Sequence, residues 1–202
     1  TEHAAPERSG PSALERERTR LGRLGWIELV TDTTQCLFVI LNRHRQMVYC
    51  NDRLRDLLAA EDGCGDPIGK RPGELFACVN HARLPAGCGT ARQCRYCGLV
   101  GTVLAAFDTR AATTGDCRLR LTDDRTLELS LRALPFVRNQ ELFVAVSMLD
   151  ASAHHRRAVL ERTFFHDIAN TLSVISGYTE LLGRHDDPAR SIDAIDTMRH
   201  AC

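Results

Sequence analysis

Lysine is almost missing from this chain: Lys70 is the only one among 202 residues, and the remaining positive charge is arginine. That bias reads as genomic base composition rather than chemistry. Net charge is missing too, since 26 basic residues face 26 acidic ones. A nucleic-acid-binding chain ordinarily carries a basic excess on one face, so that class is set aside. No apolar run is long enough to cross a bilayer, and the stretch Cys36-Leu-Phe-Val-Ile-Leu41 is only strand-sized. The start, Thr1 to Gly10, has no apolar secretory core. A cytoplasmic location is the expectation. Cysteine, by contrast, is plentiful at nine residues. In a reducing compartment such a number points to metal binding or thiol redox chemistry. The odd count also fits a disulfide framework poorly.

The length allows one large domain or two small ones. Residues 1–12, polar and carrying Pro6, Gly10 and Pro11, read as a disordered lead. From Ala13 to about Val30, Leu14, Leu21, Leu24 and Ile27 recur at roughly helical spacing between charges. This predicts an amphipathic helix, either packed on the next domain or acting as a dimer-forming signal helix, so that 1–30 forms one leading segment. Two strands follow, Cys36–Leu41 and Gln46–Cys50, joined by a polar turn at Asn42–Arg45. Asn51–Ala60 is a short helix with Leu54, Leu57 and Leu58 on one side. Residues 61–95 are irregular and rich in glycine, proline and cysteine, and Cys97–Asp108 is again helical. Three strands close the region, at Cys117–Leu121, Thr126–Leu134 and Leu142–Leu149. Asp123-Asp124 and Arg138-Asn139-Gln140 supply the two hairpin turns.

Two strands, short helices, then three antiparallel strands: this order resembles a PAS domain over roughly residues 31–150. Phe38–Leu58 is similar to its opening, with Asn51 starting the first helix. Leu142–Ser152 is similar to its close, where Asp150-Ala151-Ser152 stands in place of the family's Asp-Ile-Thr. The resemblance implies an α+β fold with a five-stranded antiparallel sheet and a sensing or dimerising role; fold alone names no ligand.

After Asp150 the pattern changes. Phe165, Ile168, Leu172, Ile175, Thr179 and Leu182 are spaced as a heptad seam. A break at Gly183 and His185-Asp186-Asp187 precedes Pro188, which suits the first turn of a second helix, and Ile192, Ile195 and Arg199 begin another repeat. Residues 151–202 therefore predict a helical hairpin that dimerises into a four-helix bundle. Phe165-His166-Asp167-Ile168-Ala169-Asn170 on the first helix resembles the H-box of histidine kinases. With Phe165 and Ile168 in the seam, His166 points off it, and neutral imidazole is a competent nitrogen nucleophile near pH 7. Asp167 is placed to orient or deprotonate that ring, and Asn170 lies one turn on. The resemblance implies His166 as phosphoacceptor. It further implies a role for Asn170 in placing the water that removes phosphate from a receiver, with ATP bound by a separate catalytic domain beyond this chain. Thr171 replaces the family's frequent proline, so no kink is expected there. His154, His155, His185 and His200 read as ordinary surface histidines.

The remaining chemistry lies in residues 78–98. Cys94-x-x-Cys97 lets two thiolates reach one metal from a tight turn, with Cys88 six residues earlier. Cys78, or His81 as the alternative ligand, completes four. An iron–sulfur cluster prefers the four cysteines, zinc accepts His81 equally well, and the cluster is slightly favoured because it gives a sensor something to sense. A thiol–disulfide switch is the competing reading, with Arg92 and Arg95 drawing down a thiol pKa. Cys36, Cys50 and Cys117, at strand positions, read as plain buried cysteines. The sequence thus points to the sensing and phosphoacceptor region of a sensor histidine kinase. Its expected partners are a second copy of itself, a response-regulator receiver and an ATP-binding domain. The alternative is a non-enzymatic PAS and coiled-coil module with a structural zinc.

Overall fold

The computed structural model describes residues 1–21, 30–31, 33–34, 36–59, 65–151, 170 and 173. The chain divides into two units, Thr1–Ser152 and Ala153–Cys202. In the first, the elements run α1 (Pro11–Leu21), β1 (Leu37–Leu41), β2 (Met47–Cys50), α2 (Asp52–Ala59), α3 (Pro72–Leu75), a 3-10 helix (Arg92–Tyr96), α4 (Gly98–Thr109), β3 (Thr113–Arg120), β4 (Thr126–Arg138) and β5 (Glu141–Asp150). In the second, Asn170 and Ser173 are helical and exposed. His166, Asp167 and most of the expected helical hairpin lie outside the described residues. No described helix is long and apolar enough to cross a membrane.

The five strands form one sheet in the order β2-β1-β5-β4-β3, antiparallel at every pairing. This is the arrangement the PAS resemblance implies, with all the connecting helices between β2 and β3. Alternation along the strands sorts the side chains between two faces. Leu37, Val39 and Leu41 of β1, Leu129, Leu131 and Ala133 of β4, and Val144, Val146 and Met148 of β5 line the inner face. Leu54 and Leu58 of α2 and Leu99, Val103 and Ala106 of α4 pack onto it. On the outer face Ile40, Val48 and Phe143 meet Leu14 and Leu21 of α1.

Asn51 shows why the chain turns where it does. Its Oδ1 accepts the N–H of Phe38 at 3.0 Å and of Leu54 at 3.3 Å, so it caps α2 while tying it to β1. Its Nδ2 donates to the carbonyls of Thr31 and Cys36. At the β4–β5 hairpin, Asn139 and Gln140 both adopt positive φ, 48° and 66°, the twist a two-residue connection demands.

Several expectations shift. β4 runs four residues further than the pattern indicates, through Pro135. That is tolerated because the last β3 partner is Thr113, opposite Ala133; beyond it β4 has β5 alone as neighbour. β3 starts at Thr113 rather than Cys117. Residues 1–12 are not a free lead. The Glu2 N–H donates to the Thr90 carbonyl and the Ala4 N–H to the Gly89 carbonyl, and Ala4 is buried. Of the expected helix over Ala13–Val30, Pro11–Leu21 is described, and residues 22–29 lie outside the described residues.

Candidate functional site

The loop between α3 and α4 is held by one cation. Arg71 is wholly buried, and its guanidinium donates to the carbonyls of His44, Ala86, Cys88, Pro6 and Glu7 at 2.7–3.2 Å. Burial pulls this arginine down to about 10. Beside it, Glu74 ties the same segments together. Its carboxylate accepts the N–H groups of Arg71 and Cys88 and both Nη atoms of Arg8. Burial works to raise the Glu74 carboxyl, but the Arg8 hydrogen bond and the two backbone donors outweigh it, and the net shift is downward.

This frame positions the cysteines. The Cys88 sulfur accepts the Gly73 N–H at 3.3 Å, an approach that any side chain at 73 would block, since a Cβ there would stand 2.6 Å from that sulfur. Burial pushes the Cys88 thiol up to about 12 and raises Cys78 too; the charges of Cys97 and Cys94 add to both. Cys94 is buried in the 3-10 helix. Cys97 follows as the N-cap residue of α4. The His81 Nδ1 lies 2.7 Å from the Cys78 carbonyl. A carbonyl only accepts, so Nδ1 carries the proton and Nε2 is left as the ligating nitrogen.

All five sequence-predicted ligands, Cys78, His81, Cys88, Cys94 and Cys97, line one cavity of about 150 Å³, with Asn80, Arg118 and Arg120 at its wall. Among the described residues, no three His, Cys, Asp or Glu side chains stand together closely enough for a single ion. The thiols share a space without converging on a point.

Cys117 is the residue the sequence reading missed. It sits on β3 as expected of a buried strand cysteine, but its sulfur is 3.8 Å from that of Cys97. Strand alternation places Cys117 on the inner face with Leu119, against the start of α4, a signal legible only once that helix is known to cross there. The Cys97 thiol is drawn down to about 6, first by the Cys117 hydrogen bond and then, against burial, by the N–H groups of Val100 and Leu99. Cys117 is pushed upward by the same hydrogen bond and by burial. Arg92 and Arg95, expected to depress a thiol, are exposed, and Arg95 stacks over the Tyr96 ring. Cys50 is a buried core cysteine as expected; Cys36 precedes β1 and bonds Thr34.

No family model matches the chain, and no curated protein matches it. Solved structures do. A PAS domain from a two-component sensor histidine kinase is 12% identical over 69% of this chain and 98% of its own, with a TM-score of 0.41. The PAS domain of a nitrogen regulation protein from Vibrio parahaemolyticus is 14% identical over 61% and 96%, with a TM-score of 0.43. An RNA-binding light-oxygen-voltage receptor is 13% identical over 82% of this chain and 42% of its own, with a TM-score of 0.48.

Proposed function

We propose that the chain is the sensing and phosphoacceptor region of a two-component sensor histidine kinase. In this reading a metal centre held by Cys78, Cys88, Cys94 and Cys97 sets how readily His166 is phosphorylated by an ATP-binding domain. The supporting observation is the meeting of those four cysteines around one cavity, from positions up to 19 residues apart in sequence.

An iron–sulfur cluster is preferred to zinc here because it gives a sensor something to sense, and four cysteine thiolates are its usual ligand set. A cluster would supply the response to redox state or to a diatomic gas. His81 stands by as the alternative ligand through Nε2. Metal loading must expel the Cys88 thiol proton, since the thiolate is the ligand.

The route outward is mechanical. α4, capped by Cys97, packs against β3, β4 and β5. β5 ends at Asp150, the Ala151 N–H donates to the Glu128 carbonyl, and in sequence the chain then continues to His166. A change at the start of α4 therefore reaches the strand that leads to the output. A second copy of the chain and a response-regulator receiver are the partners this function requires.

Anaerobic absorption spectra with metal analysis test the centre: a brown chain carrying iron and sulfide supports the reading, and a colourless one with a single zinc defeats the cluster. The acceptor is tested separately with labelled ATP and a supplied catalytic domain. His166→Gln is expected to abolish labelling and leave dimerisation intact, whereas label persisting in that variant defeats the assignment.

A further inference from the structure

Helix α4 and strand β3 approach unusually closely at the end that carries Cys97. A Cβ on Gly98 would lie 1.8 Å from the Asp116 carbonyl oxygen, and one on Gly115 would lie 2.3 Å from the Thr102 Oγ1. Only glycine permits this contact, and the contact sets the sulfurs of Cys97 and Cys117 3.8 Å apart. The two differ in access. Cys97 is half-buried and lines the cavity, whereas Cys117 is 4% exposed and lies behind it. Of the described cysteines, this is the pair that the fold brings sulfur to sulfur.

We propose that Cys97 and Cys117 form a peroxide-oxidised thiol pair, in which Cys97 is attacked first and Cys117 resolves it to a disulfide that staples the start of α4 to β3. The Cys97 sulfur attacks the terminal oxygen of a hydroperoxide. The O–O bond breaks, and the departing oxygen takes up the Cys97 thiol proton and leaves as an alcohol, or as water from hydrogen peroxide. Cys97 then carries a sulfenic acid. The Cys117 sulfur attacks the Cys97 sulfur, the S–O bond breaks, and the hydroxyl leaves as water with the Cys117 proton. Two thiols lose two electrons and one peroxide gains them. The reaction belongs to the metal-free chain, since Cys97 cannot hold a metal and form this bond at once. It does not depend on a metal ever occupying the cavity.

The sequence makes the pairing readable. Trypsin cuts after Arg92, Arg95, Arg110 and Arg118, leaving Cys94, Cys97 and Cys117 in three separate peptides. The chain is stripped of metal with a chelator under reduction, desalted anaerobically, given one equivalent of hydrogen peroxide, blocked with N-ethylmaleimide and digested. The expected product is Tyr96–Arg110 joined to Ala111–Arg118, separable by dithiothreitol. In Cys117→Ser the expected product is a dimedone adduct on Cys97. Linkage of Cys97 to Cys94, Cys88 or Cys78, linkage between chains, or no thiol loss with excess peroxide would overturn the proposal. The wild-type pairing decides the matter even where the variant folds poorly. A chain found to lack metal altogether defeats the cluster reading and leaves this result standing.

Discussion

Gly98 and Gly101 lie on one helix three residues apart, and the structure gives their alanine substitutions opposite signs. At Gly98 the new methyl would meet the Asp116 carbonyl oxygen at 1.8 Å and carbon at 2.8 Å. Both are backbone atoms of a paired strand, so the helix start has to back away from β3 by more than an ångström. Overpacking of this kind costs roughly 1–3 kcal/mol. Gly101 is exposed, and a Cβ there meets nothing within 4 Å. Its replacement gains helix propensity of about 0.5–1 kcal/mol. The two variants should therefore differ by roughly 1.5–4 kcal/mol. In a unit of this size that corresponds to Tm values separated by about 3–16 °C, given about 2–4 °C per kcal/mol. Thermal unfolding followed by circular dichroism, repeated in urea, measures it. Gly98→Ala should also widen the gap between Cys97 and Cys117, so less of the linked tryptic peptide should form at one equivalent of peroxide. Equal stability for the two variants would refute the close approach of α4 to β3.

Three further outcomes are expected. Asn51→Ala removes the cap of α2 and takes the acceptor from the half-buried Phe38 N–H, with an expected loss of about 1–3 kcal/mol in urea unfolding from a lost cap plus a lost hydrogen bond. Asn51→Asp, which keeps the acceptor and loses the donors, should fall between that variant and the parent. Glu74 has a folded pKa below its ordinary 4.5, so its contribution is fully present above about pH 4.5 and is lost as pH falls through the folded value. Glu74→Gln should therefore flatten the acid limb of the stability profile below pH 5, and an unchanged limb would count against the Arg8–Glu74 frame. Gly73→Ala, which drives a methyl into the Cys88 sulfur, should lower metal content per chain while Gly101→Ala leaves it unchanged, both read by elemental analysis.

Much of the sheet was legible because period-two alternation and turn residues are local signals. Leu127, Leu129 and Leu131 marked β4, and Asn139 and Gln140 marked its hairpin. That Cys78, Cys88, Cys94 and Cys97 gather in one region was also legible, because their crowding between residues 78 and 97 needs no tertiary knowledge. What escaped depended on long-range partners. The order of residues 1–10 comes from the Pro6 and Glu7 carbonyls accepting from Arg71 and from the Glu2 and Ala4 N–H groups donating to the Thr90 and Gly89 carbonyls, and a polar stretch with a proline carries no sign of that. Residues 135–138 escaped the β4 pattern because their only strand partner among the described residues is β5, β3 starting at Thr113 opposite Ala133. Cys117 looked inert because its meaning lies in a helix that begins twenty residues earlier. Arg92 and Arg95 looked useful because adjacency in sequence was taken for adjacency in space, whereas the 3-10 helix turns them outward.

Arg71 gathers the carbonyls of three distant stretches: the leading arm at Pro6 and Glu7, the β1–β2 turn at His44, and the cysteine loop at Ala86 and Cys88. One guanidinium thus works as a knot tying the start of the domain to its cysteine loop. No residue of the arm lines the cavity, yet the arm reaches the Cys88 backbone by two side chains, Arg71 at its carbonyl and Glu74, held by Arg8, at its N–H. The arm is thus part of the frame of the cysteine loop: displacing Pro6 and Glu7 takes away two of the five carbonyls that hold Arg71.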